Sequence, residues 1–191
     1  MTGRWKGLLA AAFFAATLGA QTAGQLETPQ VKVVTVAAQG QQPASKLNRV
    51  LIFRDDGKIG RDLVTAGDVA WLEAGNQFTA EGLSGKPVRF VEVELKYAAH
   101  PAAPLSKLDA VTADPQHYKV VFENPQVRVL RVHYEAHEKG ALHEHLLDRV
   151  VCYLNDQNGQ KAGDVRMAGP ATHTEENTSD VAVERIAVEL K

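Results

Sequence analysis

The chain has 191 residues, of which 45% are hydrophobic, 23% charged and 6% aromatic, and its formal net charge is -2. That is too apolar and too weakly charged for a disordered chain, and 21 basic against 23 acidic residues leave no basic face for nucleic acid. The length suits one domain of moderate size or two small ones.

The first six residues carry Arg4 and Lys6, and residues 7–20 follow as an uncharged apolar run, GLLAAAFFAATLGA. A basic start, a short apolar stretch and a small-residue end form the pattern of a secretory signal peptide over residues 1–24, cleaved after Ala20 or within residues 21–24. A spanning helix needs about 20 apolar residues, so a permanent membrane anchor is the weaker reading, as is an uncleaved amphipathic or buried helix. No cysteine lies there, which excludes a lipid-anchored mature terminus. The expected location is periplasmic or extracellular. Cys152 is the only cysteine, so an exported chain has no internal disulfide. It sits in the apolar run Val150-Val151-Cys152-Tyr153-Leu154, where a buried, inert thiol is expected.

The remainder reads as two loosely matching halves. PQVKVVTV at residues 29–36 recurs as PQVRVLRV at 125–132, and Asn48-Arg49-Val50 parallels Asp148-Arg149-Val150. AGDV at 66–69 returns at 162–165, and VELK at 93–96 returns as the terminal 188–191. Each half is a series of short β-branched runs, at 31–36, 87–95, 127–134 and 181–190, punctuated by Gly, Asp and Asn. After residue 24 no stretch shows helical periodicity over three turns. An all-β barrel or sandwich follows. Residues 97–105, with Pro101 and Pro104, suit an extended linker. The divisions expected are 25–97, a linker and lead-in strand at 98–118, and 119–191.

The sharpest local feature is Gly140-Ala141-Leu142-His143-Glu144-His145. On a strand, residues two apart share a face, so His143 and His145 project together while Glu144 faces away. Two imidazoles so placed can take adjacent positions around one metal ion, and paired surface or core histidines are the alternative. Downstream, Gly163-Asp164 is followed by His173 and, after three more residues, Asn177. An antiparallel barrel can bring this third histidine opposite the first two.

With these motifs the chain resembles the cupin superfamily, well over residues 119–191 and more faintly over 30–96. The resemblance implies antiparallel jelly-roll barrels with His143, His145 and His173 as inward metal ligands and Asn177 tying a turn. Three neutral imidazoles suit Fe, Mn, Ni, Cu or Zn. Cupins usually add a carboxylate or amide after three or four intervening residues, where this chain has Arg149 or Val150, with Asp148 one step earlier. The choices are three histidines with water, Asp148 reaching in, or no metal. Only residues 155–161 separate Leu154 from Ala162, so a strand hairpin usual in the family is missing and the barrel is expected to be open there. Arg149 is placed to hold a carboxylate bidentately, with Asp148 and Tyr153 as further ligand-binding candidates, and a repeated edge charge is the alternative.

In the first half the histidine pair's place is taken by residues 43–47, without histidine, and Gln77 stands where His173 does, so this half is expected to bind no metal and to cover the second barrel. His100, His117, His133 and His137 are expected at the surface. Gly57-Lys58-Ile59-Gly60 lacks P-loop spacing, and no serine has a nucleophile-elbow context. Two readings of function follow. One is an exported metal-binding protein taking a small acidic ligand, as a metal-dependent oxygenase or isomerase. The other is a non-catalytic module for a sugar or organic acid. A homodimer joined along barrel edges is compatible with either.

Overall fold

The computed structural model describes residues 21–83, 85–99, 106–157 and 159–191. Residues 1–20 of the expected signal peptide and part of the expected linker lie outside them. Nine strands form the first half: β1 (Gln21–Glu27), β2 (Val31–Ala38), β3 (Gly40–Gln42), β4 (Asn48–Phe53), β5 (Gly57–Ile59), β6 (Asp62–Val64), β7 (Val69–Leu72), β8 (Phe78–Gly82) and β9 (Val88–Leu95). A single helical turn, α1 (Ala110–Ala113), leads into seven more: β10 (Tyr118–Glu123), β11 (Val127–Tyr134), β12 (His143–His145), β13 (Arg149–Tyr153), β14 (Val165–Ala168), β15 (Ala171–His173) and β16 (Val183–Leu190). Asp109 caps that turn, its side chain accepting from the Val111 amide.

The strands assemble into two five-stranded antiparallel sheets, ordered β1-β2-β9-β4-β7 and β10-β11-β16-β13-β14. In each, the last strand of the half inserts between the second strand and a central one. The β-branched runs explain this placement, because strands covered on both faces need apolar side chains on both. One face of each sheet meets the other sheet: Val33, Val50 and Val93 pack with Val129, Val150, Ile186 and Val188 in one continuous core. Trp71 stacks on Phe122 across this junction, with ring centroids 5.7 Å apart. Polar ties reinforce it, Tyr97 Oη donating to the Gln126 carbonyl at 2.8 Å and Asn48 to the Gln126 side chain at 2.8 Å. Arg54 reaches the Ala162 carbonyl. Gly163 beside it has φ +88°, and a Cβ there would run into the Arg54 guanidinium.

The opposite faces are unlike. In the first half a second sheet, β3-β8-β5-β6, closes over the interior, which is filled by Val36, Leu51, Phe53, Phe78, Val88 and Phe90. In the second half, among the described residues, only β12 and β15 pair opposite the main sheet. Among the described residues the β5–β6 hairpin has no counterpart: β13 leads to β14 through a short loop held by a Gln157–Gln160 bridge. The interior left open on that side carries buried Arg128, His143, His145, Arg149, Arg185 and Glu189. Among the described residues no helix is long and apolar enough to cross a membrane.

Candidate metal centre

Strands β12 and β15 bring the three histidines together, with His143 opposite His173 and His145 opposite Ala171. Alternation turns His143 and His145 to the same side, where both are buried. The His143 ring lies 4.7 Å from that of His173 and 5.1 Å from that of His145, both nearly perpendicular. Each residue offers one ring nitrogen, and the three nitrogens lie within 4.8 Å of one another.

The outer partners fix which nitrogens face inward. His143 Nδ1 lies 2.9 Å from the Ala141 carbonyl, which can only accept, so Nδ1 carries the proton and Nε2 bears the lone pair. That Nε2 is 3.0 Å from Tyr118 Oη, which in turn is 2.9 Å from Glu175. One phenolic proton thus serves two acceptors. His145 Nδ1 is 3.2 Å from a Glu189 carboxylate oxygen. His173 Nε2 is buried with no hydrogen-bond partner among the described residues. Burial lowers the basicity of His143 and His173, holding both in the neutral form that ligates. An orphaned imidazole nitrogen, an over-subscribed tyrosine proton and three converging imidazoles form a donor set that fits a divalent ion of the transition series.

Behind His145 runs a chain of buried charges. Arg128 Nε donates to Glu189 at 2.5 Å, and the rest of its guanidinium grips Asp109 at 2.6 and 3.1 Å. Burial would raise the Glu189 carboxyl, but hydrogen bonds from His145 and Arg128 outweigh it and leave the group below its ordinary range. Glu175 follows the same rule: burial is overcome by Arg185, its ion-pair partner.

His145 and His173 line a cavity of about 50 Å³, bounded also by Tyr118, Arg149, Arg166, Glu175 and Arg185. Arg149 lines the same cavity as His145 and His173, its guanidinium donating to the Gly169 carbonyl at 2.6 Å. Tyr153 stands just behind, its hydroxyl accepting from Arg166 at 2.6 Å and its ring 5.6 Å beneath Arg185. Asp148 is placed elsewhere. It lies beside Gly169 and its carbonyl accepts from the Leu190 amide, outside the cavity wall and outside the histidine group. Asn177 ties the turn after β15, donating to the Glu135 and Val181 carbonyls at 2.8 Å each. His117, expected at the surface, is buried: it stacks on Tyr134 at 4.0 Å and binds Asp114 at 2.6 Å, because α1 folds its segment under the barrel. His137 is exposed, and His100 lies outside the described residues. Gln77 is exposed and bonds Gln41, away from the apolar interior of its own half.

No protein-family model matches the sequence, and no curated protein matches it. Solved structures do match. A cupin 2 conserved barrel domain protein from Leptotrichia buccalis superposes with TM-score 0.51 at 11% identity, covering 91% of this chain and 90% of that one. The oxalate decarboxylase of Bacillus subtilis, an enzyme with Mn(II) centres, gives TM-score 0.58 at 12% identity over 85% of this chain and 69% of its own. A salicylate 1,2-dioxygenase from Pseudoaminobacter salicylatoxidans gives 0.53 at 11% identity over 85% and 72%. The fold is that of the cupin barrels, and its histidine cluster is suited to a metal ion.

Proposed function

We propose that the second barrel is a divalent-metal centre held by His143, His145 and His173, which takes a small acidic organic ligand beside Arg149. The observation that carries this reading is the convergence of three imidazoles, one with a buried nitrogen that has no partner among the described residues, beside a cavity walled by arginine. Bound there, a metal ion supplies Lewis-acid polarisation of a ligand oxygen or activation of water or dioxygen. The chain's own groups do the rest. Glu189 orients His145, Tyr118 holds a proton between His143 and Glu175, and Arg149 fixes a carboxylate. The Mn(II) centres of the oxalate decarboxylase and the dioxygenase activity of its companion make oxygenation and carboxylate chemistry the first assays. The identical strand orders of the two five-stranded sheets support descent from a duplicated barrel, the first half having filled its interior with phenylalanine.

The reading includes export. Cleavage after Ala20 leaves β1 whole, since its pairing with β2 starts at Gln21. It also includes self-association along a barrel edge, read by sedimentation of the exported chain. The deciding test is elemental analysis of the exported protein beside a His143→Ala/His145→Ala variant, with terminal sequencing of both. About one Fe, Mn, Ni, Cu or Zn per chain, lost in the variant, is expected. No metal in either sample after reconstitution with all five ions overturns the metal reading and leaves the non-catalytic anion-binding module.

A further inference from the structure

The two halves treat one arginine differently. In the first, Arg49 is 3% exposed and faces Glu92 at 3.4 Å, so the buried charge is neutralised. By register Arg49 lies opposite Glu94, and Arg149 lies opposite Glu189. The position of Glu92, opposite Leu51, is therefore taken in the second half by Ala187, opposite Val151. Arg149 is 6% exposed and, among the described residues, has no carboxylate at ion-pair distance. A buried guanidinium without a carboxylate in contact is destabilising unless an anion completes it.

Arg149 is not alone. Arg166 lies opposite Val151 on the neighbouring strand β14, one diagonal step from Arg149 on the same face, and stands at the exposed rim of the cavity. Its Nε donates to the neutral Tyr153 hydroxyl, and among the described residues it too has no carboxylate partner. The Tyr153 hydroxyl, having accepted that bond, keeps its own proton to give. The cavity wall holds three guanidinium groups and one carboxylate, Glu175, which is engaged by Arg185. Glu189, opposite Arg149 in register, shares Arg128 with Asp109 and offsets part of the Arg149 charge, so the wall keeps a net positive charge that is greatest at Arg166 on the rim. The space at the histidines is narrow, about 50 Å³, and opens outward past Arg166, which suits a short acid reaching from the interior to the rim.

Resting on the metal-centre reading above, we propose that the ligand is a short dicarboxylate dianion, one carboxylate on Arg149 beside the histidines and the other on Arg166 at the rim. Two planar guanidinium forks suit two planar carboxylates, each bidentate. A monocarboxylate satisfies only one.

The test is calorimetric titration of the full exported chain, in metal-loaded and metal-free form at fixed ionic strength, with oxalate, malonate, succinate, acetate and inorganic phosphate. Metal content and circular dichroism are measured on every sample. At least one dicarboxylate is expected to bind more tightly than acetate by about tenfold or more. Arg166→Gln is expected to remove that preference while metal content stays at the parent value, and Arg149→Lys, which keeps the charge and loses the fork, to weaken the same ligand. Arg89→Gln, on the first half and paired with Asp55 at the surface, is expected to change nothing. Equal binding of acetate and every dicarboxylate overturns the proposal. So does phosphate binding as tightly as the best dicarboxylate, or an Arg166→Gln variant that retains the preference. Dicarboxylate preference in a chain that never loads metal upholds this site and removes the metal reading, so the two fail separately.

Discussion

His145 and Glu189 meet in the floor of the second barrel, imidazole Nδ1 3.2 Å from a carboxylate that has 0% exposure to solvent. A buried carboxylate is tolerated only where it is fully hydrogen-bonded, and Arg128 and His145 together meet that need. The pair fixes the ring's tautomer and its angle, as outer partners of metal-bound histidines commonly do.

Glu189→Gln tests this directly. The amide keeps the shape but loses the charge, leaving Arg128 half paired and His145 less firmly held. We expect metal affinity to fall by about 10- to 100-fold and stability by about 3 kcal/mol, read by competition with a coloured chelator and by urea unfolding. Unchanged values for both would show that His145 needs no such partner.

Acid should destabilise the metal-free protein early. Burial holds His143 and His173 below the ordinary histidine value of 6.5, so the unfolded chain takes up protons first. The stabilisation is therefore complete above that value and is lost as the pH falls through it towards the folded values. Glu175 and Glu189, both held below the ordinary 4.5, add a second loss at lower pH. Urea midpoints are expected to drop between pH 7 and 5, with a shallower slope in His173→Asn. A flat profile over that range would contradict neutral buried histidines.

The paired and unpaired arginines should respond in opposite senses. Arg49→Gln strips Glu92 of its partner and vacates carbonyl contacts to Pro43 and Asn76, costing about 3 kcal/mol. Arg149→Gln removes a buried charge that lacks a partner, so its melting temperature should equal or exceed the parent's. Differential scanning of the two variants without added anion settles the comparison, and a large loss in Arg149→Gln would mean that a protein group neutralises it.

Cys152 is buried between the two sheets, which pushes its thiol up to about 12. Iodoacetamide at pH 8 should leave the native chain unlabelled and modify it fully in denaturant. Rapid labelling of the native protein would mean that the junction opens readily.

The histidines and the barrel were legible in the sequence because each has a local signature. His-x-His on a strand announces a shared face, and β-branched runs between glycine turns announce short strands. Apart from Arg149, the charged half of the site was not. Arg185, Ala187 and Glu189 alternate with Ile186, Val188 and Leu190, a pattern equally consistent with a sheet whose polar face meets water. Only the register shows that this face is the barrel interior. Tyr118 fell at the end of the linker and lead-in strand and was not read as part of the site, although its alternation with Val120 and Phe122 was available; its strand begins one residue before the expected boundary. Glu175 lies in an irregular segment after β15 and carries no periodic signal at all. Asp148, offered by its place near the second histidine, sits at the turn into β13 with its carboxylate beside Gly169, a position that no local sequence signal announces.

The stacking of Trp71 on Phe122 gives the molecule a built-in reporter. The chain has two tryptophans, and the other, Trp5, falls in the segment read as a signal peptide. Emission from the exported chain then comes from a single indole, lodged where the halves meet. If the barrels come apart before their strands melt, the spectrum shifts to the red while the far-ultraviolet dichroism stays unchanged, and the order of those two transitions reveals whether the halves unfold as one cooperative unit or two.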